Sequence, residues 1–130
     1  MEMGGLFAIT LPNEASRLSE LRRALDEWLH ARGVAHQARA AVVLAAHEAA
    51  ANAVDHARSD DPLIVRARAD DQAVVVEVED KGAWKPTLLK NDERGRGLML
   101  IAGLMHEFEI DHAGPGTTIR MRRRLDAQSG

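Results

Sequence analysis

The spacing of apolar residues along the 130-residue chain switches between a helical and a strand period. Gly5–Thr10 (GLFAIT) reads as a short strand, broken by Pro12 and Asn13, with Asn13 placed to cap a helix. Leu18, Leu21, Leu25, Trp28 and Leu29 then recur at helical spacing, predicting an amphipathic helix over Glu14–Arg32 that Gly33 closes. A second helix is expected over His36–Ala57. Its stretch Ala40–Ala46 is apolar on every side, which predicts the buried helix of the fold. The period then falls to two. Leu63–Ala69 (LIVRARA) and Ala73–Glu79 (AVVVEVE) alternate around an Asp70-Asp71 turn and predict a hairpin. Asp80–Arg94 reads as a long loop, Gly97–His106 (GLMLIAGLMH) as a short apolar helix and Glu107–His112 as a strand. Ala113–Gly116 reads as a turn, Thr117–Leu125 as the last strand and Asp126–Gly130 as a frayed tail. This order predicts a two-layer α+β sandwich, with helices on one face of a mainly antiparallel sheet.

Composition narrows the picture. The length suits one domain, residues 1–130 with a core over about 5–125, and 45% apolar content is enough for one core. A net charge of −3 and an isoelectric point near 6.1 argue against general nucleic-acid binding. The run Arg120, Arg122, Arg123, Arg124 is the local exception, and its default reading is a solvated strand face. Without cysteine, disulfides, thiolate metal sites and cysteine nucleophiles are excluded. The N-terminal ten residues lack a secretory signal pattern, and no apolar segment nears the roughly 20 residues needed to cross a bilayer. A cytoplasmic setting without membrane contact is expected.

Three clusters carry candidate chemistry. Glu48, Asn52 and His56 stand four apart along one face of the second predicted helix. A carboxylate and a carboxamide on an apolar helix cost desolvation energy unless used, and they suggest a metal–phosphate site. His56, near the helix end, reads as a dipole partner or packing residue. Asp80-Lys81-Gly82 follows the strand Ala73–Glu79: an aspartate there accepts hydrogen bonds from a ligand amine, and glycine permits close approach. Alone, Asp-x-Gly is most often a simple turn. Arg94-Gly95-Arg96-Gly97-Leu98 opens a helix whose free N–H groups suit a phosphate, or is merely a flexible entry. No Walker-type phosphate loop is present.

Taken in order, Glu48-x-x-x-Asn52-Ala53-x-x-His56-Ala57, Asp80-x-Gly82, Gly95-Arg96-Gly97-Leu98 and Gly116-Thr117-Thr118 resemble the boxes of the Bergerat-fold ATP-binding domain. That domain is shared by gyrase, heat-shock chaperones, histidine kinases and mismatch-repair proteins. Within this superfamily the chain is most similar to the stand-alone anti-sigma factor serine/threonine kinases of bacteria. The likeness covers residues 5–125.

The resemblance implies ATP and Mg²⁺ as ligands. By similarity Asn52 coordinates Mg²⁺ through its side-chain oxygen, and Glu48 is the general base for the attacking hydroxyl. Asp80 binds the adenine amine, and Gly82 lets the base sit close. Gly95 and Gly97 receive phosphate oxygens, and Thr118, with Thr117 as the lesser choice, contacts adenine. Arg94 falls near the family's lid arginine and neutralises charge on the moving phosphoryl group.

The implied acceptor is a serine or threonine of an anti-anti-sigma factor, and the implied second partner is a sigma factor. A homodimer is also implied, with Met3–Thr10 and Glu14–Arg32 as interface candidates, although ordinary core packing explains that helix equally well. Ala83-Trp84 departs from the second glycine or proline of many relatives. The lid, about Lys85–Arg94, is short for a histidine kinase, which would also need a separate dimerisation domain. The competing class is a regulatory module that senses ATP or ADP without phosphoryl transfer.

Overall fold

Five alternating segments pair into one antiparallel sheet in the computed structural model, which describes residues 5–56, 60–82, 93–111 and 116–125. The strands are β1 (Leu6–Leu11), β2 (Leu63–Ala69), β3 (Ala73–Asp80), β4 (Glu107–Asp111) and β5 (Thr117–Arg124), in spatial order β1-β2-β3-β5-β4. Period two sorts their side chains. Leu63, Val65 and Ala67 of β2, Val74, Val76 and Val78 of β3, and Ile119 and Met121 of β5 are buried on one face. Arg66, Arg68 and Arg120 point to the exposed side. The Asp70 carboxylate accepts the Gln72 and Ala73 N–H groups at 2.8 and 2.9 Å, which shapes the β2–β3 turn and holds its pKa below the usual carboxylate range.

The helices cover the apolar face. A short 3₁₀ turn (Ala15–Arg17) leads into α1 (Leu18–Ala31), which buries Leu18, Leu21, Leu25 and Leu29 at helical spacing. The expected single helix from Glu14 is therefore two pieces, and Glu14, not Asn13, holds the cap position. Gly33, at φ +81°, turns the chain after α1. Arg39 secures that turn by donating to Asp26 and to the Val34 carbonyl, both at 2.8 Å. The next helix, α2 (His36–His56), packs between α1 and α3 (Glu93–Leu104) and lies over β3 and β5. Its apolar stretch is not wholly buried, contrary to the pattern: Leu44 is 39% exposed. A helix in a two-layer fold keeps an outer strip even when flanked, and Ala40, Leu44 and Asp55 occupy it.

The last helix, α3, begins four residues before its expected start at Gly97 and ends two before His106. Its C-terminal end is tied to β5: Arg123 donates to the Leu104 carbonyl at 2.5 Å, and the Arg124 N–H donates to His106 Nδ1 at 2.9 Å. Met3, Ala57, Ala83-Trp84, residues 85–92 of the lid, His112, residues 113–115 and the tail from Asp126 lie outside the described residues. No described helix is long and apolar enough to cross a membrane.

Connectivity places five element ends together. The end of β3 pairs with the start of β5 (Asp80 with Thr117), and beside them lies the start of β2 (Ile64 with Glu79). Six residues join the C-terminus of α2 to β2. Two residues join the C-terminus of α3 to β4, whose first residue pairs with Arg122, so α3 starts from the Asp80 end of the sheet.

Two measurements check this description. A Cβ at Gly33 meets nothing within 4 Å, so Gly33→Ala carries only the backbone cost of a left-handed residue. The expected loss is about 1–2 kcal/mol in urea unfolding, with an unchanged m-value. Desolvation, then Arg124, Arg123 and Arg122, hold the His106 pKa below its usual value. The folded state thus binds fewer protons than the unfolded chain. This contribution is present above about pH 6.5 and lost as pH falls through the depressed pKa; His106→Gln should remove that part of the acid sensitivity.

Candidate functional site

Asp80 is the last residue of β3, and the inward parity of Val74, Val76 and Val78 carries its carboxylate to the core side, where it is 2% exposed. A buried carboxylate needs hydrogen bonds. Its Oδ1 accepts the Gly82 N–H at 2.7 Å, bending the chain directly after the strand. Thr117, 1% exposed and paired with Asp80 across the sheet, donates its hydroxyl to the Gly82 carbonyl at 3.4 Å. Gly116 completes the clamp. A Cβ there would fall 1.9 Å from the Asp80 carbonyl oxygen and 2.8 Å from the Lys81 Cα, so only glycine fits. Asp80 and Gly82 are thus held as one buried corner by the first residues of β5.

The structure corrects the strand residue of this corner. Thr118 pairs with Glu79 and Asp111 on the outer face of the sheet, away from Asp80. Thr117 is the residue beside the buried carboxylate. Its parity follows from Ile119 and Met121, which must face the core and bring Thr117 with them.

The second component lies in the C-terminal half of α2. Asn52 is 2% exposed, and among the described residues its Nδ2 has no hydrogen-bond partner. A half-turn about its last torsion exchanges nitrogen and oxygen, so this buried carboxamide can present either atom to a ligand. Glu48, one turn earlier, is half-buried on the same side of the helix. Its chain neighbour His47 shares a 2.9 Å hydrogen bond with the Arg22 guanidinium of α1, a contact the sequence pattern does not reveal. No three carboxylate or imidazole groups converge among the described residues. A hard cation here would rest on the Asn52 carboxamide plus phosphate and water oxygens, a donor set that suits Mg²⁺.

The third component is the start of α3. Arg94 and Gly95 are its second and third residues, so the Gly95 N–H belongs to the first turn, which lacks intrahelical acceptors. Gly97 sits past that turn, within the hydrogen-bonded helix. The side chains of Arg94 and His56 lie outside the described residues. Connectivity thus brings Glu48, Asn52, Asp80, Gly82, Gly95 and Thr117 to one end of the sandwich and leaves Thr118 on the far face.

The Gly116 contact is testable. Gly116→Ala should displace the start of β5 and lower stability by about 2 kcal/mol or more through overpacking. It should also disturb the Gly82 amide in NMR spectra, while amides of β1 stay in place.

Comparisons with known proteins agree with this architecture. Residues 11–123 match the histidine kinase-like ATPase domain. The structure containing the RsbU and RsbW domains of Rv1364c from Mycobacterium tuberculosis is similar at a TM-score of 0.77 and 30% identity; the match covers 93% of this chain and 32% of that one. The SiaB–SiaC complex of Pseudomonas aeruginosa is similar in fold (TM-score 0.64, 16% identity, 92% of this chain and 88% of that one). So is the histidine kinase domain of the blue-light activated kinase EL346 of Erythrobacter litoralis (TM-score 0.59, 21% identity, 91% and 63%). The likeness to the RsbW-bearing chain supports the anti-sigma kinase branch that the motif order resembles. With the family matched over most of its length and the fold shared with these structures, the chain belongs to the histidine kinase-like ATPase family.

Proposed function

We propose that this chain is a Mg·ATP-dependent serine/threonine protein kinase of the anti-sigma type, which phosphorylates an anti-anti-sigma partner and also holds a sigma factor. The observation that carries the reading is the Glu48/Asn52 pair: a buried carboxamide with an unsatisfied amide nitrogen among the described residues, one helical turn from a half-buried carboxylate. A domain that only binds nucleotide has no use for a base at that position. The resemblance of the ordered motifs and the 30% identity to an RsbW-bearing chain support the kinase branch.

Each residue then has a task. Asp80 accepts a hydrogen bond from the adenine amine, Gly82 leaves room for the base, and Thr117 fixes the corner that holds both. The Gly95 N–H receives phosphate oxygens at the start of α3, and Gly97, in the following turn, serves the same phosphates by leaving room for close approach. Asn52 supplies the carboxamide oxygen for Mg²⁺, which neutralises phosphate charge when bound. Glu48 takes the proton of the acceptor's serine or threonine hydroxyl as that oxygen bonds to the γ-phosphorus and the bond to the departing ADP oxygen breaks. Arg94 neutralises charge on the moving phosphoryl group. We further assign the working form to a homodimer, following the same resemblance.

The test mixes the protein with labelled ATP and its small acceptor domain. Glu48→Ala should lower acceptor labelling by about 10²–10⁴-fold while ATP affinity changes little, the signature of a lost base. Asn52→Ala should abolish the Mg²⁺ dependence of ATP binding. An unlabelled acceptor with the wild-type protein, or undiminished labelling with Glu48→Ala, contradicts the kinase reading and leaves an ATP-sensing module.

A further inference from the structure

The sheet face turned away from the nucleotide end carries a second candidate site. Cross-strand register lays its side chains in rows that run from edge to edge. One row is Ala8, Arg66, Glu77, Arg120, Glu109. In it every arginine has a carboxylate: Arg120 donates to Glu77 at 2.6 Å and to Glu109 at 3.1 Å, and Arg66 reaches diagonally out of the row to Glu79 at 2.8 Å. The next row is Leu6, Arg68, Val75, Arg122, Glu107. Here β3 places a valine where the neighbouring row has glutamate.

Two guanidinium groups therefore flank an apolar floor without a carboxylate between them. Strand spacing sets their Cα atoms roughly 10 Å apart. Among the described residues Arg68 has no close ion pair and Arg122 has a 3.6 Å contact with Glu107 at the exposed edge, while the Asp70 carboxylate attracts both arginines only at longer range. Two cavities of about 330 and 310 Å³ share Arg68, Val75 and Arg122 and adjoin across this row. Leu6, 81% exposed, extends the apolar floor to the β1 edge. Asp70, Glu107 and Glu109, the last already paired with Arg120, line the ends, so the anion-selective part is the centre over Val75.

The geometry points to this groove as a docking site for an extended acidic segment of a protein partner, whose carboxylates pair with Arg68 and Arg122 and whose apolar side chain lies on Val75 and Leu6. Charge complementarity selects the occupant: exposed Arg68 and half-buried Arg122, held only by long or distant carboxylates, call for further carboxylates, and the valine between them calls for an apolar group. An extended segment fits because alternate residues of a strand point the same way. A basic segment would be repelled. The site lies on the opposite face from Glu48, Asn52 and Asp80, so it stands or falls independently of the kinase reading.

The probe is a short, end-blocked peptide of the pattern Glu-Ser-Leu-Ser-Glu, whose two carboxylates and leucine share one face when extended, added to the isotopically labelled full chain and followed by amide chemical shifts. Shifts should concentrate at Arg68, Val75 and Arg122 and weaken with salt. Arg68→Gln and Arg122→Gln should each weaken the peptide by roughly two- to fivefold, the weight of an exposed ion pair. Arg66→Gln, one row away, should leave peptide affinity unchanged, and ATP affinity should not change in any of the three. No shifts at millimolar peptide, equal loss with Arg66→Gln, or equal shifts from a lysine–leucine peptide would overturn the proposal. Citrate producing the same shifts at the same affinity would also overturn it, by showing a free-anion site.

Discussion

The buried carboxylate of Asp80 is the constraint on which the rest of this molecule depends. Removing an aspartate from water is unfavourable unless its oxygens are hydrogen-bonded, and the Gly82 N–H meets part of that need. The bond forces the chain to turn at the end of β3. The backbone of Gly116, with no room for a side chain, then seats β5 directly against that turn. This contact sets the β3–β5 register. A slip of one residue would drive Thr118, Arg120 and Arg122 into the core and expose Thr117, Ile119 and Met121. The buried Asp80 corner and the charged rows of the opposite face are thus two consequences of one pairing.

Much of this was legible in the sequence because period carries burial. Leu63–Ala69 and Ala73–Glu79 alternate so cleanly that the hairpin boundaries agree with the structure to within one residue. The helices over 18–31 and 36–56 follow from their apolar spacing, and the two-layer α+β arrangement follows from the order of elements. The start of α3 was misread because Arg94-Gly95-Arg96-Gly97 contains two poor helix formers, whose propensity is overridden by tertiary context. Leu44 was expected in the core because hydropathy reports what a residue tolerates, not which side of a helix has a neighbour.

The site was legible in its motifs but not in its parities. Glu48 and Asn52 share one side of α2, and Asp80 and Gly82 form the corner after β3. The choice between Thr118 and Thr117 depended on which face each one shares, and the apolar pair Ile119 and Met121 already held that information. Nothing in the sequence announced the Arg22–His47 contact, since it joins residues 25 apart through helix packing. The pattern of the C-terminal arginine run leaves a docking surface or, by default, one solvated strand face. It splits instead: Arg120 and Arg122 join the outer rows, while Arg123 turns inward to cap α3.

The central claim, that Asp80 reads the adenine amine at this end of the sandwich, is tested most directly by comparing ATP with inosine triphosphate in Mg²⁺-containing titrations. The two differ where the amine would donate to the carboxylate. A site built around that bond should bind ATP about tenfold or more tightly than the inosine nucleotide, because the mismatch leaves a buried polar group unpaired. Equal affinities would contradict the account and place the base elsewhere.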